Sequence, residues 1–496
     1  MKTLSLTPAS SAAVARRAIL VVALWAGFWL LALGLVLFLL WIFFIQAQTH
    51  MDLSGWVALG AALTLAWALR PRGKQQQLGK AQPLARERAP KLYQMVETIG
   101  GKLGVVAPVE IHLVAAATAF IGAKRNWFGR VTHLQVGIGL ALPGTLSEDE
   151  LGSVIAHEFG HFVGGDLGLG PWVYRTRVAL AHTVTELDDS IFFLDILFRW
   201  YFTWFLRLSS QVSRQQEYSA DATAARCFGI PATRAALEKV HLIDPMWSSY
   251  LDHELGPAIG RGAVMPIFAG FKRFCQAGIR REEVQKAIDW ANAHNDEYRI
   301  TDQFDSHPSL SDRVAALVPG SKPGLPPPAQ CFDLFGGEAA TEAGWYDSLT
   351  LDKPQPSDWD RFGAEVLQKQ VCERFANTWM DPSQLALDQL PAMVKDLDNL
   401  WKRLKPEGVS FLSAGGKHNH VLEILDEWII ACLCQNGFVP QVLPGQALVL
   451  SRSLPDGQTQ RVQAAALLAD AQAGKLTSAT LAGLLDQAKD QQATQG

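Results

Sequence analysis

The sequence predicts a mainly helical α+β fold in three parts: a two-helix membrane hairpin, a domain with a small sheet, and a mostly helical C-terminal domain. Three features predict it: two long uncharged apolar runs near the N-terminus, short β-rich segments followed by helical apolar spacing, and helical spacing after a proline-rich stretch. The predicted divisions are 1–18 before the hairpin, 19–69 for the hairpin, 70–90 for a connector, 91–318 for the central domain, 319–330 for a proline-rich linker and 331–496 for the C-terminal domain.

Composition sets limits on the class of protein. The chain has 496 residues, of which 49% are hydrophobic and 19% are charged, so it can bury several cores and is not a disordered chain. Its 44 Lys and Arg against 48 Asp and Glu give a net charge of −4. Nucleic acid is therefore not an expected partner, because its binding depends on neutralising phosphates. The 6 cysteines show no paired pattern, which predicts reduced core residues.

The N-terminal hairpin follows from two apolar runs. Residues 19–45 contain no charged side chain, and a helix needs only about 20 apolar residues to span a bilayer. The run is too long for the apolar core of a signal peptide, which has about 7–15 residues. A second uncharged run, residues 53–69, begins after a short polar turn. The two runs predict a helical hairpin and a lipid bilayer as partner.

The positive charges predict its orientation. Arg16 and Arg17 precede the first run, Arg70 and Arg72 follow the second, and the turn between the runs has no Lys or Arg. Because positive flanks stay on the cytoplasmic side, we expect residues 1–18 and everything after residue 70 to be cytoplasmic. The sequence thus predicts a multi-pass protein of the cell inner membrane.

A further aromatic segment, residues 191–206, is open to three interpretations. Its charged pair Asp195 and Arg199 would be costly in hydrocarbon. An interfacial helix is therefore favoured. A third span paired with residues 167–184 and a buried core helix are the alternatives.

The elements of the central domain are predicted from local patterns. A capping box, Ser147 with Glu150, begins a helix that ends at a pair of glycines. The other predicted elements are a helix at 89–103, strands at 109–114 and 132–142, and a helix at 209–228. In the C-terminal domain, a strand pair is predicted near residues 439–451.

A metal-binding motif lies on the capped helix. His157, Glu158 and His161 form an H-E-x-x-H sequence, which places two imidazoles on one helical face with a carboxylate beside them. The alternative is an amphipathic helix with incidental histidines. The cap, the continuous apolar stripe and a candidate third ligand further along the chain argue against that alternative.

The helix at 209–228 offers that third ligand. Glu217 and Asp221 are four residues apart and share one face. One carboxylate can bind a metal ion while the other accepts the free N–H of a ligating imidazole. A solvated acidic pair is the alternative for these two residues alone. Taken with the histidines, they predict one Zn²⁺ per chain, held by three protein ligands with one position open.

These residues resemble a known family. The H-E-x-x-H motif followed by Glu217-x-x-x-Asp221 is similar to the membrane-associated zinc metallopeptidases of the HtpX and CAAX prenyl protease family, which are HExxH gluzincins. The segments at 132–142, 146–151 and 307–313 are also similar to the family's. The likeness covers residues 91–317 and does not extend to the C-terminal domain. The chain departs from it at Thr118, where many relatives have Asn before Ala-Phe.

The resemblance implies a zincin-like catalytic domain and a role for each site residue. It implies that His157, His161 and Glu217 bind the zinc, that Glu158 is the catalytic base, that His307 stabilises the oxyanion, and that Asp221 and Arg313 support these groups.

The strand at 132–142 has a second predicted role. Peptides bind such enzymes as an added antiparallel strand, and an open sheet edge beside a metal site suits this mode. The predicted substrate-binding residues are Thr132, His133, Leu134, Gln135 and Val136. A strand whose edge is covered is the alternative.

The predicted function is a membrane-anchored zinc endopeptidase with its catalytic domain in the cytoplasm and membrane-associated polypeptides as substrates. A role in membrane-protein quality control rests on the family resemblance alone. The alternatives are a processing protease of the CAAX prenyl protease type and a non-catalytic, zinc-stabilised membrane scaffold. The presence of Glu158 argues against the scaffold, because a structural zinc site has no use for a base.

Overall fold

The computed structural model describes residues 11–50, 52–68, 81–126, 131–164, 192–277, 308–324, 326–347, 349, 351, 354–405, 414–454 and 457–486. These residues are mostly helical with small sheets, which confirms the coarse fold prediction. The chain forms two compact units, one of Met1–Pro245 with Lys286–Ser348 and one of Met246–Gln285 with Leu349–Gly496. The boundaries between these units do not fall at the predicted linker, 319–330. The predicted division into domains stays a prediction.

The first unit begins with two apolar helices, α1 (Ser11–Gln48) and α2 (Leu53–Ala68), which pack against each other. Val22–Gln48 is long and apolar enough to cross a membrane, with a mean hydropathy of 2.8. Asp52 caps α2, because its Oδ1 accepts the backbone N–H groups of Ser54 and Gly55. The apolar N-terminal helix is therefore present, while its pairing with α2 as a membrane hairpin stays a prediction.

A four-stranded sheet follows. Its elements are β1 (Gln82–Leu84), α3 (Pro90–Lys102), β2 (Val109–Val114), β3 (Ala119–Arg125) and β4 (Val131–Gly139). The strand order is β1-β2-β4-β3, with β2 and β4 parallel and the other pairs antiparallel. Alternate side chains of β2 and β4 are buried: Ile111, Leu113, Val136 and Ile138. They share one core with the helix that follows β4 in the chain. The strand predicted at 109–114 is confirmed, whereas β3 was not predicted.

Three helices surround the candidate site: α4 (Glu148–Val163), α5 (Phe192–Phe228) and α6 (Ile230–Tyr250). The predicted capping box is confirmed: Ser147 Oγ accepts the N–H of Glu150, and the Glu150 carboxylate accepts the N–H of Ser147. Gly160 of α4 lies against α5, where a Cβ would come within 2.8 Å of the Ala220 Cα. The glycine therefore allows the two helices to approach closely beside the site.

Helix α5 is longer than predicted. It begins at Phe192 and continues without interruption through the predicted start at residue 209. Tyr201 and Phe205 are buried, whereas Trp200 and Trp204 are exposed. Residues 167–184, the partner of the alternative third span, lie outside the described residues.

The first unit ends with α9 (Leu310–Leu317), a short 3₁₀ turn (Phe332–Phe335) and α10 (Glu338–Tyr346). The second unit contains two further helices before this stretch of chain, α7 (Gly256–Gly260) and α8 (Ile267–Gln276), and a two-stranded parallel pair of β5 (Ala263–Val264) with β6 (Gln355–Pro356).

The remaining helices of the second unit are α11 (Gln368–Phe375), α12 (Leu390–Met393), α13 (Leu397–Leu404), α14 (Ala414–Gln435), α15 (Ala464–Gln472) and α16 (Ser478–Asp486). Its antiparallel sheet is β7 (Val439–Gln441), β8 (Val449–Ser453) and β9 (Thr459–Val462). The predicted strand pair is confirmed, and β9 adds a third strand. The core of this unit lies around Leu425, Trp428 and Ile429 of α14.

Candidate metal centre

Two helices bring three potential metal ligands together. The Nε2 atoms of His157 and His161 on α4 are 3.1 Å apart. The Glu217 carboxylate on α5 lies 3.5 Å from His157 Nε2 and 3.6 Å from His161 Nε2. A tetrahedral zinc ion with bonds of about 2.0–2.1 Å holds its ligand atoms about 3.3 Å apart. The donor types and their separations therefore fit a single zinc ion, and the ligand atoms all lie within 4.8 Å of one another.

Asp221 lies one turn beyond Glu217 and orients the first histidine. Its Oδ1 accepts a hydrogen bond from His157 Nδ1 at 3.0 Å. This contact fixes the tautomer in which the Nε2 lone pair faces the metal position. Burial would raise the pKa of Asp221, but hydrogen bonds from Arg313 and His157 outweigh burial and hold that pKa below its usual value.

Arg313, on α9, connects the two carboxylates. Its Nε and Nη2 atoms donate to Asp221 at 2.9 and 2.7 Å, and Nη1 lies 3.3 Å from Glu217. The guanidinium is largely buried, so its charge and those of the carboxylates compensate one another. His307, the predicted oxyanion donor, lies outside the described residues, and its role stays a prediction.

Burial and neighbouring charged groups together set the pKa values of His157 and Glu158 on α4. Burial lowers the pKa of His157, but its hydrogen bonds to Asp221 and Glu217 outweigh this and raise the pKa to about 9. Without a metal ion this imidazole is therefore protonated at neutral pH. Burial raises the pKa of Glu158, against the opposite influence of the two neighbouring histidines. A raised carboxyl pKa suits a residue that must accept and return a proton near neutral pH.

A cavity of about 310 Å³ opens beside these residues. Besides the metal ligands, its lining includes Val154 of α4 and Ala236, Leu237 and Val240 of α6. These side chains are aliphatic. The cavity therefore combines a charged wall of metal ligands with an apolar wall.

Two hydroxyl groups that line the cavity are already paired within the protein. The hydroxyl of Ser153 donates to Thr233 at 2.8 Å, and Thr233 donates to the Gly229 carbonyl at 3.0 Å. Both hydroxyls therefore have their donors committed and offer no hydrogen to a ligand.

The predicted open edge at residues 132–136 is wrong. The strand that contains Thr132, His133, Leu134, Gln135 and Val136 is β4, which is paired on both sides, with β2 and with β3. The backbone of Leu134, Gln135 and Val136 is therefore used on both sides, whereas Thr132 and His133 precede the pairing with β2. Among the described strands, the edge nearest the cavity is β3.

Two of the cavity residues that the site prediction did not include lie at the start of β3. Thr118 and Ala119 line the cavity. The signal was present in the sequence, because Thr118-Ala119-Phe120 is the segment compared with the family's Asn-Ala-Phe. Phe120 crosses the sheet over Gly137, where a Cβ would lie within 2.0 Å of its ring.

Comparisons with known proteins agree with this geometry. The family model described as peptidase family M48 matches residues 88–319. The chain is 27% identical over 181 residues to a protease HtpX homolog of Trichormus variabilis, a match that covers 32% of this chain and 60% of the relative. It is 28% identical over 217 residues to a protease HtpX homolog of Halobacterium salinarum, which covers 40% of this chain and 70% of the relative. No solved structure matches the chain significantly.

The capped H-E-x-x-H helix, the carboxylate helix and the adjoining sheet edge define a metallopeptidase-like domain. Residues 88–319 match the model of peptidase family M48, and the relatives reported above are HtpX proteases. The family resemblance inferred from the sequence is thereby confirmed. The matched segment spans 60% of the length of the first of these relatives, and most of the second unit lies beyond the family match.

Proposed function

We propose that this protein is a membrane-anchored, zinc-dependent endopeptidase. The observation that carries the proposal is the convergence of His157, His161 and Glu217 on one position, with the carboxyl group of Glu158 in the same cavity. Three ligands leave a fourth position for water or substrate, which is the pattern of catalytic rather than structural zinc. The cavity beside Glu158 gives a peptide access to this position, which supports an enzyme rather than the scaffold alternative.

The chain's own residues divide the chemistry between them. Zinc held by the three ligands would lower the pKa of a water molecule and polarise the peptide carbonyl. Glu158 accepts the proton of the attacking water and passes it to the leaving amine. Asp221 holds His157 in the ligating tautomer, and Arg313 holds Asp221. His307 remains the proposed donor to the developing negative charge on the carbonyl oxygen.

The substrate backbone is proposed to bind along β3 rather than β4. β3 is paired with β4 on one side and begins at the cavity, at Ala119. An extended peptide added to this edge gains main-chain hydrogen bonds that do not depend on its sequence. The aliphatic wall formed by Val154, Leu237 and Val240 then receives a substrate side chain. This arrangement suits an endopeptidase that acts on polypeptides of varied sequence.

The membrane part of the proposal rests on α1. Val22–Gln48 has the length and hydropathy of a spanning helix, and several of its large apolar side chains are exposed. The charge pattern of the flanking residues supports a cytoplasmic catalytic domain. Similarity to HtpX proteases supports membrane-associated polypeptides as substrates and a role in membrane-protein quality control.

Purified protein in detergent tests the proposal. We expect about one zinc per chain and hydrolysis of casein, and we expect Glu158→Gln to retain zinc while losing hydrolysis. The matched control is Glu148→Gln, the same chemical change at an exposed position on α4. Equal hydrolysis by the Glu158→Gln variant would remove Glu158 from the mechanism. Zinc without hydrolysis by the parent protein would favour the scaffold.

A further inference from the structure

We propose that α5 sets the distance between the lipid bilayer and the metal centre, so that cleavage is confined to bonds that can extend about 20 Å from the membrane surface. The inference rests on the proposed endopeptidase function and its membrane anchor. It concerns the two ends of one continuous helix, Phe192–Phe228, whose first half contacts α1 and whose second half carries Glu217.

The first half of α5 is attached to the proposed membrane helix. The Tyr201 hydroxyl donates to the backbone carbonyl of Leu24 at 2.5 Å, and the Tyr201 ring lies beside Phe28 with centroids 6.0 Å apart. Leu24 is five residues into the uncharged run that begins at residue 19, which is about 8 Å along the helix axis. Tyr201 therefore contacts α1 within about 8 Å of the end of its apolar run.

The same part of α5 presents two exposed tryptophans. Trp200 and Trp204 are 65% and 45% exposed, and their rings stack in parallel with centroids 6.3 Å apart. Tryptophan is enriched where a bilayer meets water, because its ring is apolar and its N–H is polar. The pair flanks Tyr201 along α5, and Tyr201 contacts α1, whose own apolar side chains are exposed. This continuity identifies the occupant of the tryptophan face as the lipid bilayer.

The second half of α5 is fixed to the site. Glu217 faces the two histidines of α4, and Asp221 is held by Arg313. From Trp204 to Glu217 is 217 − 204 = 13 residues of uninterrupted helix, which is about 20 Å at 1.5 Å per residue. The helix thus places the metal centre up to this distance from the interface, and a tilted helix reduces the height.

The consequence for substrates follows from the reach of an extended chain. At about 3.3 Å per residue, about six residues are needed to cover 20 Å. At the full height of about 20 Å, bonds within the bilayer or directly beside it are out of reach. The substrate class is a membrane-anchored polypeptide whose segment outside the membrane is unfolded.

Lipid contact can be tested without enzymatic activity. The full-length protein is placed in phosphatidylcholine vesicles that contain a photoactivatable diazirine phospholipid, and adducts are located by mass spectrometry after illumination. We expect adducts on α1 and on Trp200 or Trp204, with none on residues 213–228. Labelling of α1 without Trp200 or Trp204 would overturn the inference. No labelling of α1 would overturn the membrane anchor itself, which is a separate result.

The distance rule is tested with substrates anchored in the same vesicles. One scissile sequence is placed about two, six or ten residues from a transmembrane anchor in an otherwise flexible chain. We expect cleavage at six and ten residues, and at least about a tenfold lower rate at two. Equal rates at two and ten residues would overturn the inference.

Peptides without the anchor separate this result from failure of the proposed function. They should be cleaved at one common rate, and no cleavage of them would refute the peptidase instead.

A variant tests the role of the tryptophans. The double variant Trp200→Ala with Trp204→Ala should cleave unanchored peptides normally and lose at least half of its discrimination between two and ten residues. Val106→Ala, at an exposed position that is 91% accessible, is the matched surface control and should change neither rate. Unchanged discrimination in the tryptophan variant would also count against the inference.

Discussion

Arg313 donates two hydrogen bonds to Asp221, from Nε to Oδ2 at 2.9 Å and from Nη2 to Oδ1 at 2.7 Å. The same carboxylate accepts the Nδ1 hydrogen of His157. Arg313 therefore reaches His157 through Asp221 and also contacts Glu217 directly, although it belongs to a helix far along the chain. The charges of this cluster are mutually dependent, so each can be tested by removing its partner.

Removal of the Asp221 charge tests the orientation of His157. In Asp221→Asn, the amide accepts a weaker hydrogen bond from Nδ1 or presents its own N–H to the ring. Because such groups orient the metal ligand, we expect zinc affinity to fall by about 10–100-fold. Competition with a chelating dye measures the affinity. Asp149→Asn, an exposed change on the first turn of α4, should leave it unchanged, and an equal loss in both variants would contradict the assignment.

Removal of the Arg313 charge tests the stability of the cluster. Arg313→Met leaves Asp221 and Glu217 buried without their shared cation. Breaking a buried ion pair from one side typically costs about 3–5 kcal/mol, so we expect the metal-free protein to unfold at a clearly lower denaturant concentration. Added zinc should restore part of the loss, since it supplies positive charge beside Glu217. Arg86→Met, at an exposed ion pair with Glu97, should shift the unfolding midpoint far less, because solvent screens exposed pairs.

The local parts of the site could be predicted from the sequence. A capping box and an i, i+4 histidine pair depend only on helix geometry, so Ser147, His157 and His161 could be placed before any fold was known. The proximity of Glu217 to them depends on how α4 and α5 pack. Gly160 permits that approach against Ala220, a contact that no local pattern contains.

Sheet order and helix length could not be predicted in the same way. The sequence shows that residues 132–142 are β-rich, but it does not show that β3 covers the second side of that strand, because pairing is a long-range property. Similarly, the polar residues that begin at Ser209 end the aromatic pattern without ending the helix. The change of environment along α5 therefore resembles, in the sequence, a boundary between elements.

The dependence of zinc binding on pH follows from His157. Its pKa of about 9 in the metal-free site means that binding at neutral pH displaces a proton. Zinc affinity should therefore rise by up to about tenfold per pH unit until the pH reaches about 9. Calorimetry in buffers of different protonation enthalpy should detect about one proton released per zinc from this group. An affinity independent of pH between about 6 and 9 would contradict the assignment.

In the metal-free protein, a rise in pH acts in the opposite direction: it reduces the contribution of His157 to the free energy of unfolding. Its pKa is raised on folding, so protonated His157 stabilises the fold fully below about pH 6.5, the ordinary value for histidine. This contribution is lost as the pH rises towards about 9. The free energy of unfolding without zinc should therefore fall over this range. His133→Gln, outside the cluster, should preserve the trend, and His157→Gln should weaken it.

The aliphatic wall of the cavity gives a prediction about substrate choice. Ala236 is buried and lines the cavity from α6, so Ala236→Phe places a ring in the space proposed for a substrate side chain. We expect kcat/KM to fall by about tenfold or more for peptides with Leu beside the scissile bond, and less for peptides with Gly or Ala there. Zinc content should stay at the parent value, because the ligands lie on α4 and α5. The effect is measured with peptides in which one residue beside the scissile bond is varied at a time. Ala235→Phe, at the neighbouring position on α6, is the control. A uniform loss for all peptides would show that the ring disturbs the fold or the metal position rather than a side-chain pocket.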